Sequence, residues 1–168
     1  MARQAIRHEG DKGEERFAQH VPSRKATKAK KGDRVVAVDG RDFHVEVKEC
    51  HAAYGKSGTI NQVRPIKYIT CVISAPARQR WYVIPPNDLV RIAAKKSRGQ
   101  HNEIPFECCN LTLNSLERYA CTDDELEARV LSAIRSGEAD ERLKTLMRNL
   151  LRAIQDINAQ YKRDVLRQ

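Results

Sequence analysis

Short apolar runs punctuated by Gly, Pro and Asp fill the first 121 residues, and a longer helical periodicity takes over after that. Phe17 and Val21 stand at i, i+4, which predicts a helix over 12–21 that Pro22 ends. Val35, Val36, Ala37 and Val38 favour a strand, and so do Phe43, Val45 and Val47. Asp39-Gly40 between them suits a two-residue type I′ turn, in which both central residues take positive φ. Residues 59–74 read as a helix disturbed by Pro65, its regular part starting near that proline. Arg80-Trp81-Tyr82-Val83-Ile84 reads as a buried strand closed by Pro85-Pro86. Asn87 or Asp88 then caps a helix to about Lys96, with Leu89, Val90, Ile92 and Ala93 inward and Gly99 as terminator. Residues 104–113 read as a loop into one more short strand, which Pro105 places at an edge.

The tail has a different pattern. Thr122-Asp-Asp-Glu125 is a capping box for a helix to about Ser136, with Gly137 as a stop. A second helix starts near Glu138. Its apolar residues Leu143, Met147, Leu150, Ile154, Ile157 and Tyr161 alternate at spacings of four and three, a heptad seam. Such a seam either packs on its own body or pairs two chains into a homodimer. The chain therefore divides into a body, 1–121, and a C-terminal helical hairpin, 122–168.

Charge follows the same division. The formal net charge of +9 resides in the body, where 22 basic residues face 13 acidic ones, whereas the tail holds 9 of each. A basic body beside a neutral tail fits a polyanion-binding domain with a packing or oligomerisation element. No apolar run approaches the ~20 residues that span a membrane. The N-terminus lacks the apolar core of a secretory signal. Five cysteines, an odd number without a Cys-x-x-Cys, point to a reducing, cytoplasmic setting. A zinc site from His101, Cys108, Cys109 and Cys121 fits poorly, because adjacent cysteines in a strand face opposite ways. His51–Gly58 lacks the glycine spacing of a P-loop and reads as a flexible connection.

The chemistry is concentrated in Gly32-Asp33-Arg34 and Glu46-Val47-Lys48. Side chains alternate along a strand, so Glu46, Lys48 and His44 share one face. A carboxylate beside an ammonium, near a second carboxylate on the neighbouring strand, can bind a hard cation or orient water against a phosphodiester. With its hairpin, this pattern resembles the PD-(D/E)XK nuclease superfamily, most of all its Holliday-junction-resolvase branch, over roughly residues 12–95. Gly32 stands where the family often has proline. The resemblance implies a restriction-endonuclease-like α/β (α+β) fold with a central mixed sheet flanked by helices. It implies that Asp33 and Glu46, with the Val47 carbonyl, hold Mg²⁺ or Mn²⁺ while Lys48 positions or deprotonates water. It also implies a glutamate on the first helix, for which Glu15 is taken over Glu14, and a polar residue on a helix after the triplet, here Gln62.

Phosphate contacts are expected from the basic run Lys25, Lys28, Lys30 and Lys31 and from Lys56, Gln62, Arg64 and Lys67. The function expected is therefore a metal-dependent DNA endonuclease. Two other readings remain: a nuclease-like protein that binds nucleic acid without cutting, and a structural partner assembled through the C-terminal helix. Metal affinity separates the first from the second, and preference for DNA over other polyanions separates both from the third.

Overall fold

The computed structural model describes residues 12–27, 34–100, 104–138 and 141–165. The expected hairpin is present. Strands β2 (Arg34–Val38) and β3 (Arg41–Glu49) pair antiparallel, with Val38 opposite Arg41 and Arg34 opposite Val45. Asp39 and Gly40 take φ of 50° and 76°, the two positive values a type I′ turn needs. Ahead of the hairpin lie helix α1 (12–20) and the short strand β1 (Arg24–Lys25), which extends the sheet beyond β2. Arg24 and Lys25, which open the basic run, thus form an edge strand, tied down by an Arg24–Asp42 ion pair and by Arg34, which donates to the Ser23 carbonyl at 2.9 Å.

The helix expected over 59–74 is absent. In its place stand β4 (Thr59–Val63), a turn around Pro65, and β5 (Thr70–Ala75). Ile60 and Val63 are both buried, and their i, i+3 spacing imitates a helix face. In a regular strand, residues three apart face opposite sides. Here the register shifts between Ile60 and Val63, and Gln62 takes a φ of 57°. The bulge adds one residue and returns Val63 to the buried face. β5 is buried along its whole length, so it shows no alternation and its apolar run carries no period.

β5 lies parallel to β3 and antiparallel to β6 (Arg80–Ile84). With β8 (Ala120–Cys121) the sheet is mixed and six-stranded, in the order β1-β2-β3-β5-β6-β8. The class is therefore α/β. Helix α1 and α3 (Asp123–Glu138) cover one face, where Phe17, Leu126, Val130 and Ile134 pack on Val45, Val47 and Val72. The other face carries α2 (Pro86–Ala94), a 3-10 helix (Leu113–Tyr119) and a second sheet of β4 with β7 (Cys109–Thr112). α2 begins at Pro86 with Pro85 as its cap, two positions before the expected Asn87 and three before Asp88, and proline at the first helical position sacrifices no hydrogen bond.

The capping box forms: the Thr122 N–H donates to Glu125 Oε2 at 3.0 Å. That bond holds the Glu125 carboxyl below its ordinary pKa. The residues 122–138, expected in the appended hairpin, put their apolar face into the same core as Phe17 and Trp81. Only α4 (Glu141–Val165) stands apart from the two cores. No helix among the described residues is long and apolar enough to cross a membrane.

Gly137 does not stop α3; it lies inside it. A Cβ there would meet Pro86 Cγ at 2.5 Å and Ile69 Cδ1 at 2.7 Å. The rigid proline ring cannot step aside as a flexible chain end would. Gly137→Ala should therefore destabilise the protein by about 1–2 kcal/mol in urea titration, although alanine is favoured by about 1 kcal/mol in an open helix. A gain in stability would show that the α2–α3 contact is loose.

Candidate active site

The alternation of β3 sends Glu46 and Lys48 to the side of the sheet covered by β4 and β7. Glu46 is 1% exposed. A carboxylate removed from water is costly unless charge and hydrogen bonds answer it. Lys48 Nζ stands 3.3 Å from its Oε1, and Arg64 Nη1 stands 3.5 Å from the same oxygen. The Arg64 backbone N–H donates to Oε2 at 3.1 Å. Arg64 follows the β4 bulge directly, so the irregularity that hid the strand also aims its backbone at the carboxylate.

The expected residues fall into three groups. The structure brings Glu46, Lys48 and Arg64 together, with Val47 between the first two on β3 and His44 half-buried on their face. Asp33, Lys28, Lys30 and Lys31 lie outside the described residues. The rest are dispersed. Lys25, Lys56 and Lys67 are exposed on β1, the loop after β3 and the turn before β5. Gln62 is exposed on a strand, not on a helix, and its N–H donates to Gln100 Oε1 at 2.9 Å. On α1, Glu15 faces solvent and Glu14 is half-buried.

Two buried charges escaped the sequence. Glu49, at the end of β3, points to the opposite face from Glu46. It receives Arg16 at 2.7 Å and His51 at 2.8 Å. Gly13 permits the approach, since a Cβ there would lie 3.0 Å from Glu49 Oε2. The second is Arg78, whose side chain is 1% exposed in the connection between β5 and β6. Its Nε donates to the Ala52 carbonyl at 3.0 Å, its Nη2 to the Lys56 carbonyl at 3.3 Å, and its Nη1 to Glu117 at 2.7 Å and Tyr82 at 3.3 Å. Asn114 is a further acceptor, and the Tyr54 ring covers the guanidinium at 5.1 Å.

Burial opposes that charge, yet the Tyr82 hydrogen bond and Glu117 carry the Arg78 pKa above its ordinary value. Burial likewise raises the Tyr82 phenol. Arg78 therefore supplies the donors that residues 52–56 lack among themselves and fixes the loop that leaves the acid-x-Lys triplet. The one signal in the sequence was an arginine between two apolar strands, a position that usually faces water.

No family model, no curated protein and no solved structure matches this chain. The arrangement must be judged on its own chemistry. Among the described residues no group of three or more His, Cys, Asp and Glu side chains is placed to hold a metal ion. Cys108 and Cys109 are buried, and burial pushes the Cys109 thiol up to about 11, so it is protonated at neutral pH; His101 lies outside the described residues. What Glu46, Lys48 and Arg64 offer is one shielded carboxylate with two cations aimed at it, a geometry that can hold an anion or position a water molecule.

Arg78→Ala should cost about 3–5 kcal/mol, the range for breaking a buried pair from one side. Arg78→Lys should recover only part of it, because an ammonium has three donors and no planar fork. Denaturant titration checks both, and a loss below about 1 kcal/mol for the alanine variant would mean that the loop holds itself.

Proposed function

We propose that this protein is a metal-dependent endonuclease acting on DNA, of restriction, homing or junction-resolving type, with a restriction-endonuclease-like fold. The observation that carries the reading is the Glu46–Lys48 pair, a buried acid and a lysine 3.3 Å apart on one strand face. The order of helix, hairpin and parallel strand around the pair, and the basic body, support it.

The donors suit the ion in kind, since Glu46, Asp33 and the Val47 carbonyl are all oxygen ligands and would hold Mg²⁺ or Mn²⁺. The ion when bound supplies Lewis-acid activation and neutralises charge on the phosphate. Glu46 is held in orientation by the Arg64 N–H. Lys48, an ammonium beside Glu46, would hold the attacking water and offset charge developing on the phosphate, and the water's proton would pass to solvent. Arg64, 34% exposed beside them, meets the phosphate, and Lys25, Lys56 and Lys67 contact the backbone farther out.

Lys48→Ala should lower cleavage of plasmid and branched DNA by at least about 100-fold with Mg²⁺ or Mn²⁺. Binding should hold within about twofold, since one lysine among 31 basic residues hardly alters the field. EDTA should abolish cutting in the wild type. A wild type that cuts nothing with either metal sinks the reading. The alternative is then a nucleic-acid-binding protein that does not cut, which the Arg64 guanidinium at Glu46 favours, because it already neutralises the acid that a metal would need.

A homodimer through α4 belongs to the same proposal. Leu150 and Ile157 of the expected seam are 61% and 66% exposed, and Leu146 beside them is 60% exposed. The opposite side of the helix reaches the body through Arg148, whose Nε donates to the Ile66 carbonyl at 3.4 Å, and Gln155, which donates to Glu107. The side chains of Leu143, Met147 and Tyr161 lie outside the described residues. A second copy of this chain is the natural cover for a heptad stripe. Leu150→Glu should shift the sedimentation mass from dimer to monomer, and a wild type that is monomeric at high concentration removes the dimer from the proposal.

A further inference from the structure

Where α2 ends, Lys95, Lys96, Arg98, Gln100 and Asn110 surround an open cavity of about 320 Å³. Among the described residues no carboxylate lines it. Among the described residues none of its three cations is ion-paired. Basic residues after a helix C-terminus ordinarily answer the dipole and extend into solvent. Here they border a cavity whose floor is fixed. Gln100 Oε1 and Asn110 Oδ1 accept the Gln62 N–H at 2.9 and 3.4 Å, and the Gln100 N–H donates to the Cys108 carbonyl at 2.9 Å.

That floor leads to the acid-x-Lys site. Gln62 is two residues from Arg64, whose backbone N–H holds Glu46. The Gln62 N–H at the cavity floor and the Arg64 N–H at Glu46 therefore belong to one short stretch of β4 and its bulge. Val63, the residue between Gln62 and Arg64, pairs with Cys109, and Asn110 at the cavity follows Cys109 on the same strand, so the cavity and the acid border one two-stranded sheet.

We propose that this cavity is a phosphate subsite, taking a neighbouring phosphodiester of the strand that passes Glu46 and Lys48. It rests on the nucleic-acid reading of that face and adds a contact region that the acid-x-Lys motif does not include. The contact is with the backbone and carries no base preference.

The test is fluorescence anisotropy with a labelled duplex in EDTA, so that cleavage plays no part, titrated between 50 and 200 mM salt, about the range where phosphate contacts show. Lys96→Ala/Arg98→Ala should weaken binding about tenfold and flatten the slope of log affinity against log salt by about 1–2. Arg91→Ala, on the same helix but paired with Asp88 and outside the cavity, should leave both unchanged. Arg98→Lys should retain the slope, since charge and not a fork is required, and unchanged thermal melts exclude misfolding. A wild type that binds with a steep slope which the double variant keeps overturns the subsite and leaves the nucleic-acid reading standing. A wild type without salt-dependent DNA binding overturns both. A labelled polyglutamate peptide that outcompetes DNA, and loses binding in the double variant, assigns the cavity to an acidic protein segment and overturns the phosphate.

Discussion

A carboxylate in the interior of a sheet constrains everything around it. Glu46 sits in β3 opposite Cys71 of β5, which offers it no charge, and Lys48 of its own strand is one of its two cations. The other comes from above the sheet, and β4 brings it. Its bulge turns Val63 into the core and delivers Arg64 over Glu46 by backbone and side chain together. β4 needs a partner of its own, and β7 pairs with it. The crossover from β3 to the parallel β5 therefore carries a small sheet instead of the usual helix. The local irregularity is the means by which a buried acid is kept in place.

Arg78 works in the same way at the far end of that crossover. The loop from Ala52 to Lys56 is short of backbone partners, and a single planar guanidinium serves three of its carbonyls while Glu117 balances the charge. Both arrangements spend a charged group on positioning main chain. They differ in exposure: Arg78 is sealed, whereas the Arg64 side chain is a third exposed. Only the second can exchange its partner for something from solvent.

The parts legible in the sequence were those fixed by local rules. Asp39-Gly40 declared the hairpin, Thr122 with Glu125 declared a helix start, and the alternation of Glu46 and Lys48 declared their common face. Residues 59–74 were misread because a bulge gives Ile60 and Val63 a helical spacing, and a strand buried on both sides has no period to detect. Arg78 and Glu49 were missed because burial of a charge depends on partners distant in the chain, up to 39 residues away for Arg78. The burial of Glu14 and the exposure of Glu15 depend on the rotation of α1 against the sheet, which adjacent residues in the sequence do not reveal. Gly137 was misjudged for a related reason: glycine ends helices, but it also serves where another element comes too close for a side chain.

The two contacts that Arg64 makes to Glu46 are not equivalent, and the difference bears on what the site can do. The backbone N–H to Oε2 is part of the fold and cannot leave without unravelling the bulge. The guanidinium to Oε1 is an ion pair at 3.5 Å, long for a hydrogen bond and partly open to water. Its guanidinium end is a third exposed and its carboxylate end is buried, so its hold lies between that of a surface pair and a sealed one. If the guanidinium swings away, Glu46 keeps its orientation, and Lys48 at 3.3 Å keeps its charge answered. The acid is then neither orphaned nor reoriented, and Oε1 becomes available to another cation or to a water molecule. A site built this way can be closed by its own arginine and opened by whatever draws that arginine toward a phosphate, without disturbing the sheet beneath it.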